Sequence, residues 1–228
     1  MPNVKNNAAA QETRRKLLEA AGEVFAERGL HAATIKQITD RAKVNSAAIN
    51  YHFSDKFELY AATIRHALDL TWAPTPEQLS GPPEKRLRAF VAGIINDTFD
   101  RARPPWRTTL LAQEFIQPTA ASDAVMEELI RPRADHIHNI ARAILGPGAT
   151  EEQVFRAGYS VAAQCFFYLY NREVLRRLRP QMIDDAKIQE LVEHIVEFSL
   201  AALRVMRKQC STVAARGRPG PHPGRGTK

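Results

Sequence analysis

Apolar residues recur at three- and four-residue spacing along almost the whole 228-residue chain, and alternating or β-branched runs that would form strands are nearly absent. The pattern predicts an all-α protein. A first helix over about Ala9–Arg28 places Leu17, Leu18, Ala21, Val24 and Phe25 on one face and stops at Gly29, while Arg14, Arg15 and Lys16 lie on its polar side. Thr34 opens a short helix with Ile35 and Ile38 inward. A gap around Lys43–Asn45 leads to a second short helix, Ser46–Tyr51, closed by the aromatic cluster Tyr51, His52 and Phe53. Ser54 and Asp55 then cap a longer helix from Lys56 to about Trp72, with Phe57, Leu59, Tyr60, Ile64, Ala67 and Leu68 inward.

Four prolines (74, 76, 82 and 83) and Gly81 break the pattern between Ala73 and Pro83 and mark a domain boundary, or at least a loop between two helices. Helices are expected beyond it over Glu84–Arg103 and Trp106–Gln117, and then over Thr119–Leu145 with a bend at Pro132, because an interior proline loses a backbone bond. Thr150 with Glu151, Glu152 and Gln153 reads as a capping box. It starts the most apolar helix, Glu151–Asn171, which is followed by a short basic piece, Arg172–Arg179. The last helix is expected over Asp184–Lys208, and the Gly/Pro/Arg-rich residues after it lack what a packed element needs.

Two short helices joined by a tight turn, preceded by a supporting helix and followed by an aromatic plug, describe a helix-turn-helix module. Such a module suits DNA, because a short helix fits the major groove and meets base edges with its first residues. Here Ser46–Tyr51 is the candidate reading helix. Ala47 and Ala48 would allow close approach and contact with thymine methyls, while Asn45, Ser46 and Asn50 supply hydrogen-bonding groups. Thr34 and Lys56 stand at helix N-termini, where phosphate is well received, and Lys36, Lys43, Tyr51 and His52 are further candidates for the backbone.

The strings Thr34-Ile35-Lys36-Gln37-Ile38, Val44 to Phe53 and Asp55 to Tyr60 resemble the TetR family of transcriptional regulators over about Gln11–Tyr60. Three positions depart from the family pattern: Thr39 where Ala is usual, Lys43 where the turn usually has Gly, and Phe57 where an acid is common. Glu114 to Ala121, followed by the helix with Pro132 and the run Ile137–Leu145, is similar to the CecR (YbiH-like) type of C-terminal domain in that family. The resemblance implies a helix-turn-helix domain over 11–72, a helical effector-binding and dimerisation domain over 83–208, a flexible arm over 1–10 and a disordered basic tail over 209–228. It also implies a homodimer on a palindromic DNA operator, held by the last two long helices and their symmetry mates, and acting most often as a repressor released by a small molecule. A second reading is a general DNA-organising protein with no effector and little sequence specificity.

Candidates for lining an effector pocket are Phe90, Ile94, Phe99, Trp106, Phe115, Phe155 and Tyr159, with Ile137 and Phe166 beside them, although aromatics at helical spacing more often form simple core. Glu114, His136, Asn139 and Gln164 are the polar candidates. His136 and His138 diverge on a helix and make a poor metal pair, so no metal and no cofactor are expected. No nucleophile elbow, phosphate loop or paired catalytic carboxylates occur in the sequence, which argues against an enzyme.

Composition adds less than the pattern. Two cysteines cannot form a disulfide framework, the longest apolar stretches fall short of the roughly 20 residues a bilayer needs, and the N-terminus has no apolar signal region. A cytoplasmic protein is expected. The 32 Lys+Arg and 25 Asp+Glu give +7, but residues 1–70 carry only +2 and residues 71–203 carry −2. Residues 204–228 hold seven basic and no acidic side chains, so bulk basicity says little about the reading module. Arg216-Gly217-Arg218-Pro219 resembles the core of an AT-hook, a basic segment that enters narrow minor grooves.

Overall fold

A computed structural model describes residues 4–69, 74–120, 123, 126–182 and 185–216. Among these the chain is helical and contains no strand. The helices are α1 (Val4–Ala32), α2 (Ile35–Ala42), α3 (Ala47–His52), α4 (Lys56–Asp69), α5 (Pro76–Leu79), α6 (Pro83–Phe99), α7 (Pro105–Ile116), α8 (Arg131–Leu145), α9 (Glu151–Leu178) and α10 (Ile188–Arg216). Two compact units do not follow chain order: one takes the described residues of 1–73 and 96–134, the other those of 74–95 and 135–228.

The first unit is built on α1, whose buried Leu17, Leu18, Ala21, Val24 and Phe25 form the expected inward stripe. Gly29, at φ 71°, interrupts the helical backbone where the pattern places its end, since only glycine adopts this conformation without a Cβ penalty. At the other end, α1 begins at Val4, so residues 4–10 are helical where a flexible arm was expected. Ile38, Ile49, Phe53, Leu59, Tyr60 and Ile64 close the core from α2, α3 and α4, and the Phe25 and Tyr60 rings meet edge-on at 4.9 Å. Phe57, expected inward, stays 43% exposed, because it sits in the first turn of α4, outside the packed cluster.

Helix α7 packs on α1 and α4 and sends Trp106, Leu110 and Leu111 into the same core. Gly22 makes this possible: a Cβ there would run into the Trp106 ring. The indole N–H donates to Glu19 Oε2 at 3.2 Å, and Glu19 Oε1 lies 3.0 Å from His66 Nε2 on α4. Tyr60 donates its hydroxyl to Glu114 Oε2 at 2.6 Å, while Glu114 Oε1 accepts from the Thr119 N–H and hydroxyl. Arg107, 3% exposed, is neutralised by Asp97 at 2.9 Å.

Three expectations about the later chain change. Instead of one bent helix from Thr119, a π-helical turn, Met126–Ile130, leads into α8, and Pro132 stands in its first turn, where a missing N–H costs nothing. Helix α9 begins at the predicted capping box, with Thr150 Oγ1 accepting from the Gln153 N–H and Gln153 Oε1 from the Thr150 N–H, but it runs through the basic piece to Leu178. Arginine and leucine are good helix formers, so a charged stretch need not end a helix. Helix α10 likewise passes Lys208 and reaches Arg216, and Cys210 within that extension is buried. The AT-hook-like string continues beyond Arg216 and lies outside the described residues.

In the second unit α9 and α10 run antiparallel: Cys210 approaches Gln153 at 3.4 Å and Gln164 approaches Ser199 at 3.1 Å, pairs whose residue numbers share one sum. Val154, Val161 and Cys165 of α9 and Val192, Ile195, Val196 and Leu203 of α10 are buried. Burial pushes the Cys165 thiol up to about 12, so it stays protonated at neutral pH.

Candidate nucleic-acid interface

Helix α2 starts with a reciprocal cap. Thr34 Oγ1 accepts from the Gln37 N–H at 3.2 Å and Gln37 Oε1 from the Thr34 N–H at 3.0 Å. Ile38 holds the helix from below, and buried Thr39 returns its hydroxyl to the Ile35 and Lys36 carbonyls, so this departure from Ala adds no unsatisfied group. The turn to α3 passes through Lys43 in the left-handed region (φ 56°, ψ 44°), the one non-glycine with positive φ among the described residues. Its N–H bonds to Asp40 O, and Val44 N–H to Thr39 O, closing the end of α2.

Helix α3 is anchored on one side only. Ile49 and Phe53 are buried, and Ala48 is half-buried with part of its surface against the core. The opposite side carries Asn45, Ser46, Ala47, Asn50 and Tyr51, all exposed, with Tyr51 at 77%. Asn45 Oδ1 accepts from the Ala47 N–H at 2.8 Å and so fixes the entry to the helix. His52 lies edge-on to Tyr51 at 4.8 Å. Burial, and secondarily the nearby Arg14 charge, push His52 below its ordinary value, which keeps it neutral at pH 7.

Basic side chains around α3 have unequal freedom. Lys36 is 83% exposed and pairs with Asp40 at 2.7 Å, a surface pair that binds weakly and yields readily. Lys43 is exposed. Lys56 is engaged within the fold, where its ammonium donates to the His31 and Ala33 carbonyls at 3.2 and 3.0 Å and ties the start of α4 to the end of α1. Asp55 Oδ1 accepts from the Glu58 N–H, and Glu58 accepts from the Ser54 N–H and hydroxyl, so carboxylates already fill this N-terminus. Arg14, on the polar side of α1, sits 5.4 Å over the Phe53 ring beside α3. Its place depends on a contact 39 residues away in sequence, which local spacing does not encode.

Two families match this chain: "Bacterial regulatory proteins, tetR family" over residues 17–63 and "HTH-type transcriptional dual regulator CecR, C-terminal domain" over residues 83–203, more than half its length. The chain belongs to the TetR family of transcriptional regulators. As a TetR-family protein it is a DNA-binding regulator of transcription, and the family's members are not enzymes. It is 30% identical to the transcriptional activator FasR of Mycolicibacterium smegmatis over 153 residues, 62% of this chain and 69% of FasR. It is 34% identical to the regulator BetI of Burkholderia mallei over 111 residues, 46% of this chain and 56% of BetI, so it spans little more than half of that relative. The fold matches AibR in complex with isovaleryl coenzyme A and operator DNA (TM-score 0.60, 14% identity, 82% of this chain and 97% of AibR) and the hemolysin II regulator HlyIIR (TM-score 0.58, 18%, 81% and 97%).

The effector candidates of this TetR-family chain are divided between the two units. Phe99, Trp106, Glu114 and Phe115 belong to the first unit, whereas Phe90, Ile94, His136, Asn139, Phe155 and Tyr159 belong to the second. Trp106 and Glu114 are used in packing and hydrogen bonding within the first unit, and Phe115 is exposed. Asn139 is exposed, as are Phe155 and Tyr159, whose rings lie 4.4 Å apart on the outside of α9. Gln164 spans to Ser199 between α9 and α10. Phe90 and His136 remain as buried neighbours, their rings 6.1 Å apart. Among the described residues no group of three or more His, Cys, Asp or Glu could hold a metal ion, and no helix is long and apolar enough to cross a membrane.

Proposed function

We propose that this chain is a homodimeric repressor that reads a palindromic operator with α3 and is released by a small molecule bound in its C-terminal domain. The observation that carries the DNA part is the one-sided anchoring of α3. Asn45, Ser46, Ala47, Asn50 and Tyr51 stand clear of the core on a helix short enough for the major groove. Asn50 is the residue suited to a bidentate contact with adenine, and Ala47 to a thymine methyl. Thr34, whose hydroxyl proton is free of the cap bond, joins Lys36, Lys43, Tyr51 and neutral His52 in holding phosphates, and Arg14 adds a charge at the far end of α3. Lys56 acts by positioning α4 through its two carbonyl bonds.

The dimer reading is supported by the outer side of the α9–α10 hairpin. Phe155, Tyr159, Phe167 and Val174 of α9 and Phe198 and Val205 of α10 are exposed, large apolar side chains of the kind that a second copy covers. TetR-family regulators bind operators as dimers and respond to small molecules such as acyl-CoA. A two-fold dimer sets two α3 helices about one DNA turn apart, roughly 34–36 Å. An effector that favours a tilt of α4 changes that spacing, and a coupling of about 2–3 kcal/mol lowers operator affinity on the order of 100-fold.

Footprinting on the DNA upstream of its own gene tests the reading. A protected palindrome overlapping the promoter, bound by two protomers, is the expected result. Protection lying wholly upstream of the promoter would make the protein an activator, as FasR is named. Unpatterned coverage would favour the DNA-organising alternative.

A further inference from the structure

In the second unit, several arginines meet a carboxylate. Arg88 pairs with Glu193, and Arg142 with Glu151, which also faces His138 at 3.3 Å. Arg86 differs. It has no ion pair among the described residues, and its Nε is buried with no hydrogen-bond partner. One turn along the same face of α6 lies Phe90, and against Phe90 stands His136 of α8, 7% exposed, whose Nε2 is equally buried and unpartnered. Arg107 and Arg133 also leave Nε unpartnered, but their terminal nitrogens reach Asp97 and the Leu68 carbonyl, whereas a buried group without any partner loses its hydration and gains nothing.

Their charges are not independent. Burial first, and the Arg86 charge second, push His136 below its ordinary value. At neutral pH the pair is therefore one fixed positive charge beside a neutral ring that can donate one further hydrogen bond. A guanidinium fork matches a planar two-oxygen anion, and a single positive charge is balanced by a monoanion, whereas a phosphate dianion would leave a buried negative charge. Apolar side chains continue from this point: Phe90 is buried, and Ile94 follows one turn later on α6.

We infer that Arg86 and His136 form the anion-recognising end of the effector site, taking the carboxylate of a small organic acid whose apolar body lies along Phe90 and Ile94. The inference rests on the effector reading given above and sharpens it to a ligand class. The site needs no metal, and it explains why an arginine is kept in a half-buried place without a carboxylate partner among the described residues.

Calorimetric titration of the full chain with octanoate, 4-phenylbutyrate, octanol and octyl phosphate tests it. At least one of the two carboxylates should bind about 10-fold or more tighter than octanol, and Arg86→Met should abolish that preference while leaving octanol binding as it was. His136→Phe should weaken the carboxylate about 10-fold. Since removing a half-buried charge with no ion pair among the described residues relieves its burial cost, Arg86→Met without ligand should raise Tm by about 2–4 °C, a gain that a structural arginine would not give. Carboxylates binding no better than octanol, tighter binding of octyl phosphate, or a lower Tm for Arg86→Met would each overturn the assignment. Operator titration with and without octanoate separates the site from its effector role: Arg86-dependent carboxylate binding that leaves DNA affinity unchanged keeps the site and removes the role.

Discussion

The two units treat their polar and apolar groups differently. In the unit that carries α3, buried charges meet partners from the same unit: Arg107 meets Asp97, and Glu114 meets Tyr60 and Thr119. Its core closes around Phe25, Leu59 and Leu110, and the face it leaves to solvent at α3 is polar. In the C-terminal unit, aromatic residues line the outer side of α9, and Arg86 and His136 hold buried atoms without partners; Arg107 and Arg133 of the first unit also leave Nε unpartnered, but their terminal nitrogens reach Asp97 and the Leu68 carbonyl. A unit whose buried charges find partners within it is suited to hold a reading helix in fixed geometry. A unit that leaves groups incomplete is suited to take up something from outside, which here means a second protomer and a ligand.

This contrast can be broken at the core. Phe25→Ala removes a ring that touches Tyr60 and is fully buried, and should cost the first unit about 3–5 kcal/mol. Denaturant unfolding followed by a probe in that unit would read it, and operator binding should fall with it. A substitution that left stability within 1 kcal/mol, roughly, would show that the unit is not self-contained.

The outer face of the hairpin gives the next effect. Phe198→Glu with Val205→Glu places charges on the exposed apolar side of α10 without touching its buried residues. Sedimentation should show a monomer with unchanged helical content, and operator affinity should drop by about 10²-fold or more, since like charges brought together in a two-fold interface cost several kcal/mol. A dimer that survives would move the interface elsewhere.

Tyr60→Phe tests whether the polar tie between α4 and α7 matters. It removes the 2.6 Å bond to Glu114 and leaves one carboxylate oxygen buried, at about 1.5–3 kcal/mol. Burial first and the Glu114 interaction second push the Tyr60 hydroxyl well above its usual range, so the bond keeps its proton on the tyrosine at any physiological pH and this loss should be independent of pH between 6 and 9, roughly. The smallest effect has the opposite sign. Lys43→Gly relieves a side chain held at φ 56° and should stabilise the first unit by up to about 1 kcal/mol, while weakening DNA binding if the lysine holds a phosphate.

What is readable in the chain follows the range of the interaction that decides it. The end of α1 at Gly29, the capping box at Thr34 and that at Thr150 are written in four or five consecutive residues, and the structure has them there. Trp106, Glu114 and Lys56 serve roles that local spacing does not show, because their partners, Glu19, Tyr60 and the His31 and Ala33 carbonyls, lie 87, 54 and 23–25 residues away. Periodicity marks Trp106 as inward but not which interior it enters. The helical ends escape it for another reason: in Arg172–Leu178 the charges at 172, 173, 176 and 177 interrupt the apolar spacing, and a solvated helical turn looks like a loop when only that spacing is read. Four of the seven basic residues after position 203, Arg204, Arg207, Lys208 and Arg216, stand on α10.

The central claim is that a fixed polar face of α3 reads sequence. Titrating the full chain, at physiological salt, against the DNA upstream of its own gene and against a scrambled duplex of equal length tests it most directly. The expected result is at least about 10³-fold preference for the native sequence, two protomers per duplex, and loss of most of that preference in Asn50→Ala. Equal affinity for both duplexes, with a steep salt dependence and no effect of Asn50→Ala, would contradict it.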